Sequence, residues 1–189
     1  SPKNYKETIS SITDSVNVIE KDFKKKLTVG VCHPGSTNLD TGLIQNAYNS
    51  PWLNNTKFSE DISRNLNRKV LCENDANCFA LSEAYDGSAK HYKIVFGIIL
   101  GSGCGGGLVI DKKILVGPNA FTGEWGHVPL YSDNINSNIE QYISGKGIER
   151  LYFKKFNKKN TAKEIFAKSR QNSLVDKNFI SHFLNNLGL

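Results

Sequence analysis

The chain is predicted to be an α/β protein, and three observations carry that expectation. A helical apolar stripe runs from Tyr5 to Phe23, short strand-like and helical segments alternate from Leu27 to Tyr85, and a continuous apolar run, Ile94 to Leu100, leads into a glycine-rich stretch.

The elements follow in order. Tyr5, Ile9, Ile12, Val16, Ile19 and Phe23 recur at spacings of four and three, so residues 4–24 are expected to be an amphipathic helix. Lys24, Lys25 and Lys26 suit its C-terminal dipole. Leu27, Val29 and Val31 alternate as a strand that Pro34-Gly35 ends, and Asp40-Thr41-Gly42 is a turn. Phe58, Ile62 and Leu66 are in phase for a second helix over 59–66, and Lys69 to Cys72 is a short buried strand. Asn74 can cap a helix from about Asp75 to Tyr85.

After Gly87 the pattern changes, with a domain boundary expected at 87–92: residues 1–90 form one α/β lobe and 91–189 a second. Ile94 to Leu100 reads as a buried strand, Leu108-Val109-Ile110 as the next, and Asp111-Lys112-Lys113 as the turn into Ile114-Leu115-Val116, a hairpin with the glycine stretch at its entry. From Ile139 onward the chain reads as helical, interrupted at Ser144-Gly145-Lys146-Gly147.

At 189 residues, 39% hydrophobic and 22% charged, the chain has the composition of a globular protein with one full core or two small ones. No apolar run approaches a membrane span. The start is polar and methionine is absent throughout, as expected of a trimmed chain without a secretory signal. The net charge of +6 comes partly from short, separated lysine clusters, which read as solvated faces rather than a nucleic-acid surface. None of the four cysteines forms a C-x-x-C pair; they are expected to be buried free thiols in a reducing cytoplasm. His33, His91 and His182 have no partner identifiable in the sequence.

Three stretches carry chemistry. In Glu73-Asn74-Asp75-Ala76-Asn77, Asp75 sits where a strand ends and a helix begins. Such a carboxylate can deprotonate an attacking hydroxyl in phosphoryl transfer, or it can simply belong to a helix cap. Gly101 to Gly107 holds five glycines in seven residues. Backbone without Cβ can bring its N–H groups close to phosphate, or can merely start a hairpin; the stretch does not match a P-loop. Glu124 and His127 lie three apart in a glycine-flanked loop, and His127 also reads as a hydrogen-bonded structural imidazole. Asn46 and Asn74 can each donate to and accept from sugar hydroxyls. Together the stretches point to phosphoryl transfer to a sugar.

These motifs resemble the sugar kinases of the ROK family (repressor, open reading frame, kinase), in particular the fructokinase/mannokinase and N-acetylglucosamine kinase branches. The resemblance rests on Glu73 to Cys78, Ile99 to Gly107 and Gly123-Glu124-Trp125-Gly126-His127-Val128-Pro129-Leu130, with support from Pro34-Gly35, Gly42 and Asn46 to Trp52. It implies an actin-like (ribonuclease H-like) ATPase fold of two lobes, with sugar and MgATP in a cleft. It further implies transfer of the ATP γ-phosphate to a hexose or N-acetylhexosamine (fructose, mannose, glucose or N-acetylglucosamine) at the C6 hydroxyl. Asp75 would be the base. Asn46, Asn74, Glu124, His127 and Glu140 would hold sugar; Glu140 reads equally as an acid in the first turn of a helix. Gly101, Ser102, Gly103, Cys104, Gly105 and Gly106 would hold phosphate, with Mg2+ as charge neutraliser.

The departures from the family pattern are equally definite. The Asp-x-Gly-Gly-Thr phosphate turn, the adenosine-side glycine turn and the zinc-loop cysteines have no counterpart, so the fold is expected to be incomplete and no metal-ligating set or zinc is expected. The chain alone is expected to be a poor kinase, with an uncovered apolar face near Phe179, Phe183 and Leu187. The alternatives are a non-catalytic sugar-binding remnant or a regulator, although no room precedes the first helix for a helix-turn-helix. The expected partner is the sugar, with a homodimer left open, and neither nucleic acid nor membrane.

Overall fold

The computed structural model describes residues 2–129, 138–171 and 174–187. The chain divides into two compact units, Ser1–Val95 with Leu108–Thr122, and Phe96–Gly107 with Gly123–Leu189.

In the first unit, helix α1 (Tyr5–Phe23) is capped by Asn4, whose side chain accepts the Glu7 N–H. Its apolar stripe is used unevenly: Ile9 is buried and Tyr5, Ile12 and Val16 pack on the core, whereas Ile19 and Phe23 are exposed. Strand β1 (Gly30–His33) pairs in parallel with β4 (Leu71–Asn74), in the register Cys32↔Glu73 and His33↔Asn74. Both strands lie a few residues beyond their expected positions, because Val29 and Val70 pack into the core ahead of the ladder. The short antiparallel pair β2 (Ser36–Thr37) and β3 (Ile44–Gln45) follows, and α2 (Phe58–Leu66) buries Phe58, Ile62 and Leu66 as its phase requires. Each of these side chains contributes about 1.5–3 kcal/mol of burial. Glu20 on α1 ties this core down: its carboxylate accepts from Arg68 and from the Leu27 N–H, both at 2.6 Å. The Arg68 hydrogen bond, then the Leu27 N–H, hold that carboxyl below its ordinary range.

Helix α3 (Asp75–Tyr85) leaves β4 without a linker and buries Ala80 and Ala84 against Val95 and Val109. Strand β5 (Ile94–Leu100) neighbours β6 (Cys104–Ile110), which neighbours β7 (Lys113–Ile114). The link between β5 and β6 is only residues 101–103, which requires antiparallel pairing.

The structure corrects the expectation that β5 is buried. Its residues alternate, with Val95 and Gly97 inside while Ile94 (67%), Phe96 (45%), Ile98 (46%) and Leu100 (48%) are exposed on the other face. A strand shows both faces, and only one is covered by the described residues.

In the second unit, α4 (Glu140–Ile143), α5 (Gly145–Phe156), α6 (Ala162–Arg170) and α7 (Leu174–Leu187) enclose Ile148, Tyr152, Ile165, Phe179 and Phe183. The uncovered face expected near Phe179 and Phe183 is therefore not there: both rings are buried, packed edge-on against Tyr152, Phe156 and Phe166. The Leu187 side chain lies outside the description. The break expected over 144–147 shrinks to Ser144, whose buried hydroxyl accepts the Gly147 N–H and caps α5. Cys104 is buried as expected, Cys72 and Cys78 are half-buried, and Cys32 is exposed; all four are free.

Candidate active site

Two corners hold the residues singled out by sequence, one in each unit. The first is the junction of β4 and α3. Asn74 is buried and all its side-chain capacity is used: Oδ1 accepts the N–H groups of Ala76 (2.9 Å) and Asn77 (3.0 Å), and Nδ2 donates to the Gly35 carbonyl (2.8 Å) and to Asp75 Oδ1 (3.3 Å). Asp75 Oδ1 also accepts the Ala76 N–H at 2.9 Å. Asp75 itself is exposed at the helix start, and its Oδ2 has no partner among the described residues. One oxygen is thus oriented by the cap while the other faces solvent at the positive end of α3, the arrangement a proton acceptor needs.

Gly35 supports this corner from the bend between β1 and β2. Its φ is +79°, and a Cβ there would lie 2.4 Å from the Gln45 carbonyl and 2.8 Å from the Ala47 N, so only glycine fits. The same contact brings Asn46, itself at φ +59° and exposed, to the strand beside Gly35.

Sequence reasoning missed two contributors here. Glu73 Oε1 accepts the Asn74 N–H (2.8 Å) and the Asn77 amide (3.1 Å), the latter at i,i+4 spacing. His33 has partners after all: it is 1% exposed, its Nδ1 donates to the Pro34 carbonyl (3.1 Å), Thr37 Oγ1 lies 3.3 Å from Nε2, and its ring stands edge-on to Phe58. Only an N–H can meet a carbonyl, so Nδ1 carries the proton. The buried Ser36 Oγ and Asn77 Oδ1 have no partner among the described residues.

The second corner surrounds the β5–β6 turn. Cys104, Gly105 and Gly106 are strand residues, which corrects their placement in a loop; the turn is only Gly101-Ser102-Gly103. Gly106 is a packing glycine, since a Cβ would lie 2.9 Å from the Gly97 carbonyl and from Trp125 Cδ1. Trp125 donates its indole N–H to the Gly105 carbonyl at 2.8 Å. The Gly101 N–H donates to the Gly103 carbonyl (3.0 Å) and the Cys104 N–H to Glu140 Oε2 (2.9 Å). Among the described residues, the N–H groups of Ser102 and Gly103 have no hydrogen-bond partner. The Gly101 and Ser102 carbonyls accept the Gly145 (2.8 Å) and Lys146 (3.3 Å) N–H groups, which docks the N-terminus of α5 on the turn.

Glu140 is the first residue of α4 and passes over Gly103, where a Cβ would lie 2.8 Å from its Oε2. Glu124 and His127 flank a 3-10 turn, Trp125–His127, with His127 Nδ1 3.5 Å from Glu124 Oε2 and side chains 48% and 35% exposed for His127 and Glu124 respectively. Burial first, then the charges of Glu140 and Glu124, push the Cys104 thiol up to about 11. Glu124, His127 and Glu140 are thus grouped at the mouth of β6. Among the described residues, no three His, Cys, Asp or Glu side chains are grouped for a metal. Residues 130–137, where the shortened loop was expected, lie outside the description.

The whole chain, residues 1–189, matches the ROK family model. It belongs to the ROK family. An N-acetyl-D-glucosamine kinase of Histophilus somni (strain 129Pt) is 38% identical over 182 residues, covering 87% of this chain and 59% of that protein. The chain therefore spans somewhat under two thirds of the length of the curated relatives it matches. A ROK hexokinase from Thermus thermophilus superposes with a TM-score of 0.85 at 21% identity, over 99% of this chain and 65% of that one. A ROK glucokinase from Streptomyces griseus, solved with glucose and AMPPNP, superposes with a TM-score of 0.72 at 22% identity, over 94% of this chain and 64% of that one. The fold is that of the actin-like ATPase architecture these ROK structures share. Among the described residues, no helix is long and apolar enough to cross a membrane.

Proposed function

We propose that this chain carries the sugar-binding and phosphate-turn part of an ATP-dependent sugar kinase acting on N-acetyl-D-glucosamine. The observation that carries the reading is Asp75: an exposed carboxylate with one oxygen held by the helix cap and the other without a partner among the described residues, in a chain 38% identical to an N-acetyl-D-glucosamine kinase. Its other oxygen accepts the proton of the C6 hydroxyl as the hydroxyl oxygen attacks the γ-phosphorus of ATP and ADP leaves. In the second unit, Glu124, His127 and Oε1 of Glu140 are the groups for sugar hydroxyls; in the first, Asn46 offers its exposed amide. Asn74, whose amide is fully engaged, positions Asp75. The Ser102 and Gly103 N–H groups fit a phosphate oxygen; ATP with Mg2+ supplies the phosphoryl group and its charge neutralisation.

Calorimetry with N-acetylglucosamine, glucose, mannose and fructose tests the reading, followed by ADP release with each. Saturable binding that favours N-acetylglucosamine and is weakened by Glu124→Gln supports it. Binding of none of the four sugars overturns it. Sugar binding without ADP release, in a protein that also binds nucleotide, would instead indicate a sugar-binding regulator.

A further inference from the structure

We propose that Cys32 and Cys78 are an oxidative modification site, forming a reversible disulfide that ties β1 to α3 one turn from Asp75. The pairing of β1 with β4 sets Cys32 beside Glu73, and α3 starts directly after β4 and packs against β1. The Glu73–Asn77 bond holds the first turn of α3 over this strand pair, and Cys78 is the next residue. Side chains alternate along a strand, so Cys32 and Glu73 share the face that meets α3, while Cys72 packs on the core with Val31. The environments of the two thiols differ. Cys32 is exposed, whereas Cys78 is half-buried, and burial first, then the Cys32 thiol and the carboxylates of Glu73 and Asp75, push Cys78 up to about 12. The thiolate is the attacking species, so Cys32 is the entry point and Cys78 the resolving group.

The oxidant is a small-molecule disulfide. The Cys32 thiolate attacks one of its sulfurs, forming a mixed disulfide and releasing one small thiol. Cys78 then gives up its proton to solvent and attacks the Cys32 sulfur, releasing the second small thiol. Two protein thiols are oxidised and one external disulfide is reduced to two thiols. The functional consequence rests on the proposed kinase reading: Asp75 lies three residues from Cys78 on the same helix, so a covalent tie there displaces the proton acceptor. Misplacement by about 1 Å can cost a hundredfold in rate.

The test incubates the protein with oxidised glutathione, quenches free thiols and maps peptides by mass spectrometry without reduction. A Cys32–Cys78 linkage reversed by dithiothreitol is expected. Cys78→Ala is expected to stop at the glutathione adduct on Cys32, and Cys32→Ser to take up no linkage at all. A wild-type protein that stops at the Cys32 adduct, or that links Cys32 to Cys72 or Cys104, overturns the proposal. Where reduced protein shows turnover, oxidation should lower it by about tenfold or more in the wild type and by under twofold in Cys32→Ser; equal losses in both overturn the coupling to Asp75. Where the reduced chain shows no turnover, the linkage map decides the proposal by itself.

Discussion

At the Asp75 corner the bonds that cap the helix and orient Asp75 close over one to three residues, and one longer bond, from Asn74 Nδ2 to the Gly35 carbonyl, docks the segment. At the Gly103 corner the decisive bond, from the Cys104 N–H to Glu140, spans 36 residues and depends on a glycine that lets the carboxylate pass. Local bonding makes the first corner a property of a short peptide segment that folding need only dock. The second exists only once α4 lies against β6. It follows that chemistry at the first corner can be altered with little loss of stability, whereas at the second, function and stability are bound together.

The sharpest way to test that contrast is Asp75→Asn. The side chain is exposed and keeps Oδ1 for the cap, so the melting midpoint should move little. Loss of the proton acceptor should lower phosphoryl transfer by about 10²–10⁴-fold in a kinase assay. Turnover within a few-fold of the parent protein would remove Asp75 from the role.

Gly106→Ala should do the reverse. Its Cβ meets backbone at the Gly97 carbonyl and the indole of Trp125, neither of which can swing away. Overpacking there should cost about 1–3 kcal/mol, seen as a lowered midpoint in thermal unfolding. A raised nucleotide KM at unchanged midpoint would instead restore Gly106 to the phosphate site.

Glu140 separates the two effects at one position. Glu140→Ala leaves the Cys104 N–H unpaired behind a buried side chain, at a cost of about 1–3 kcal/mol. Glu140→Gln keeps an acceptor for that N–H and should restore most of the stability while still raising the sugar KM. If both variants bind sugar as the parent does, Glu140 is purely a strut.

The smallest effect is on alkaline stability. Burial, then the hydrogen bond to Asp176, raises Tyr152 to about 12; burial, then the bond to Asp61, raises Tyr5 to about 12. The folded state holds these protons more tightly than the unfolded chain, so their contribution is complete below an unfolded pKa of about 10 and is lost as pH climbs towards 12. Tyr152→Phe should flatten the decline of the second unit over that window, and Tyr5→Phe that of the first. An unchanged slope in both variants would show that other groups set the alkaline limit.

Most of the first corner was legible in the sequence, because helix phase and capping are local rules. The limits of α3, its Asn74 cap and the glycine at Gly35 follow from residue types and spacing alone. What lay beyond reach was anything set by the burial of a neighbour. The partners of His33 depend on Thr37 and Phe58 meeting it through the β2 turn and α2. The apolar composition of β5 says nothing about which of its faces is covered.

The sequence by itself determined the α/β class, the order of α1, β1, α2, β4, α3, β5, β6 and β7, and Asp75 at the head of a helix, since each depends on periodicity or on bonds within a turn. Only the tertiary structure decided that Cys104 to Gly106 are strand rather than loop, that Phe179 and Phe183 are covered, and that Glu140 closes on Cys104. Those outcomes turn on which distant surfaces exclude water from one another, and no local pattern specifies that.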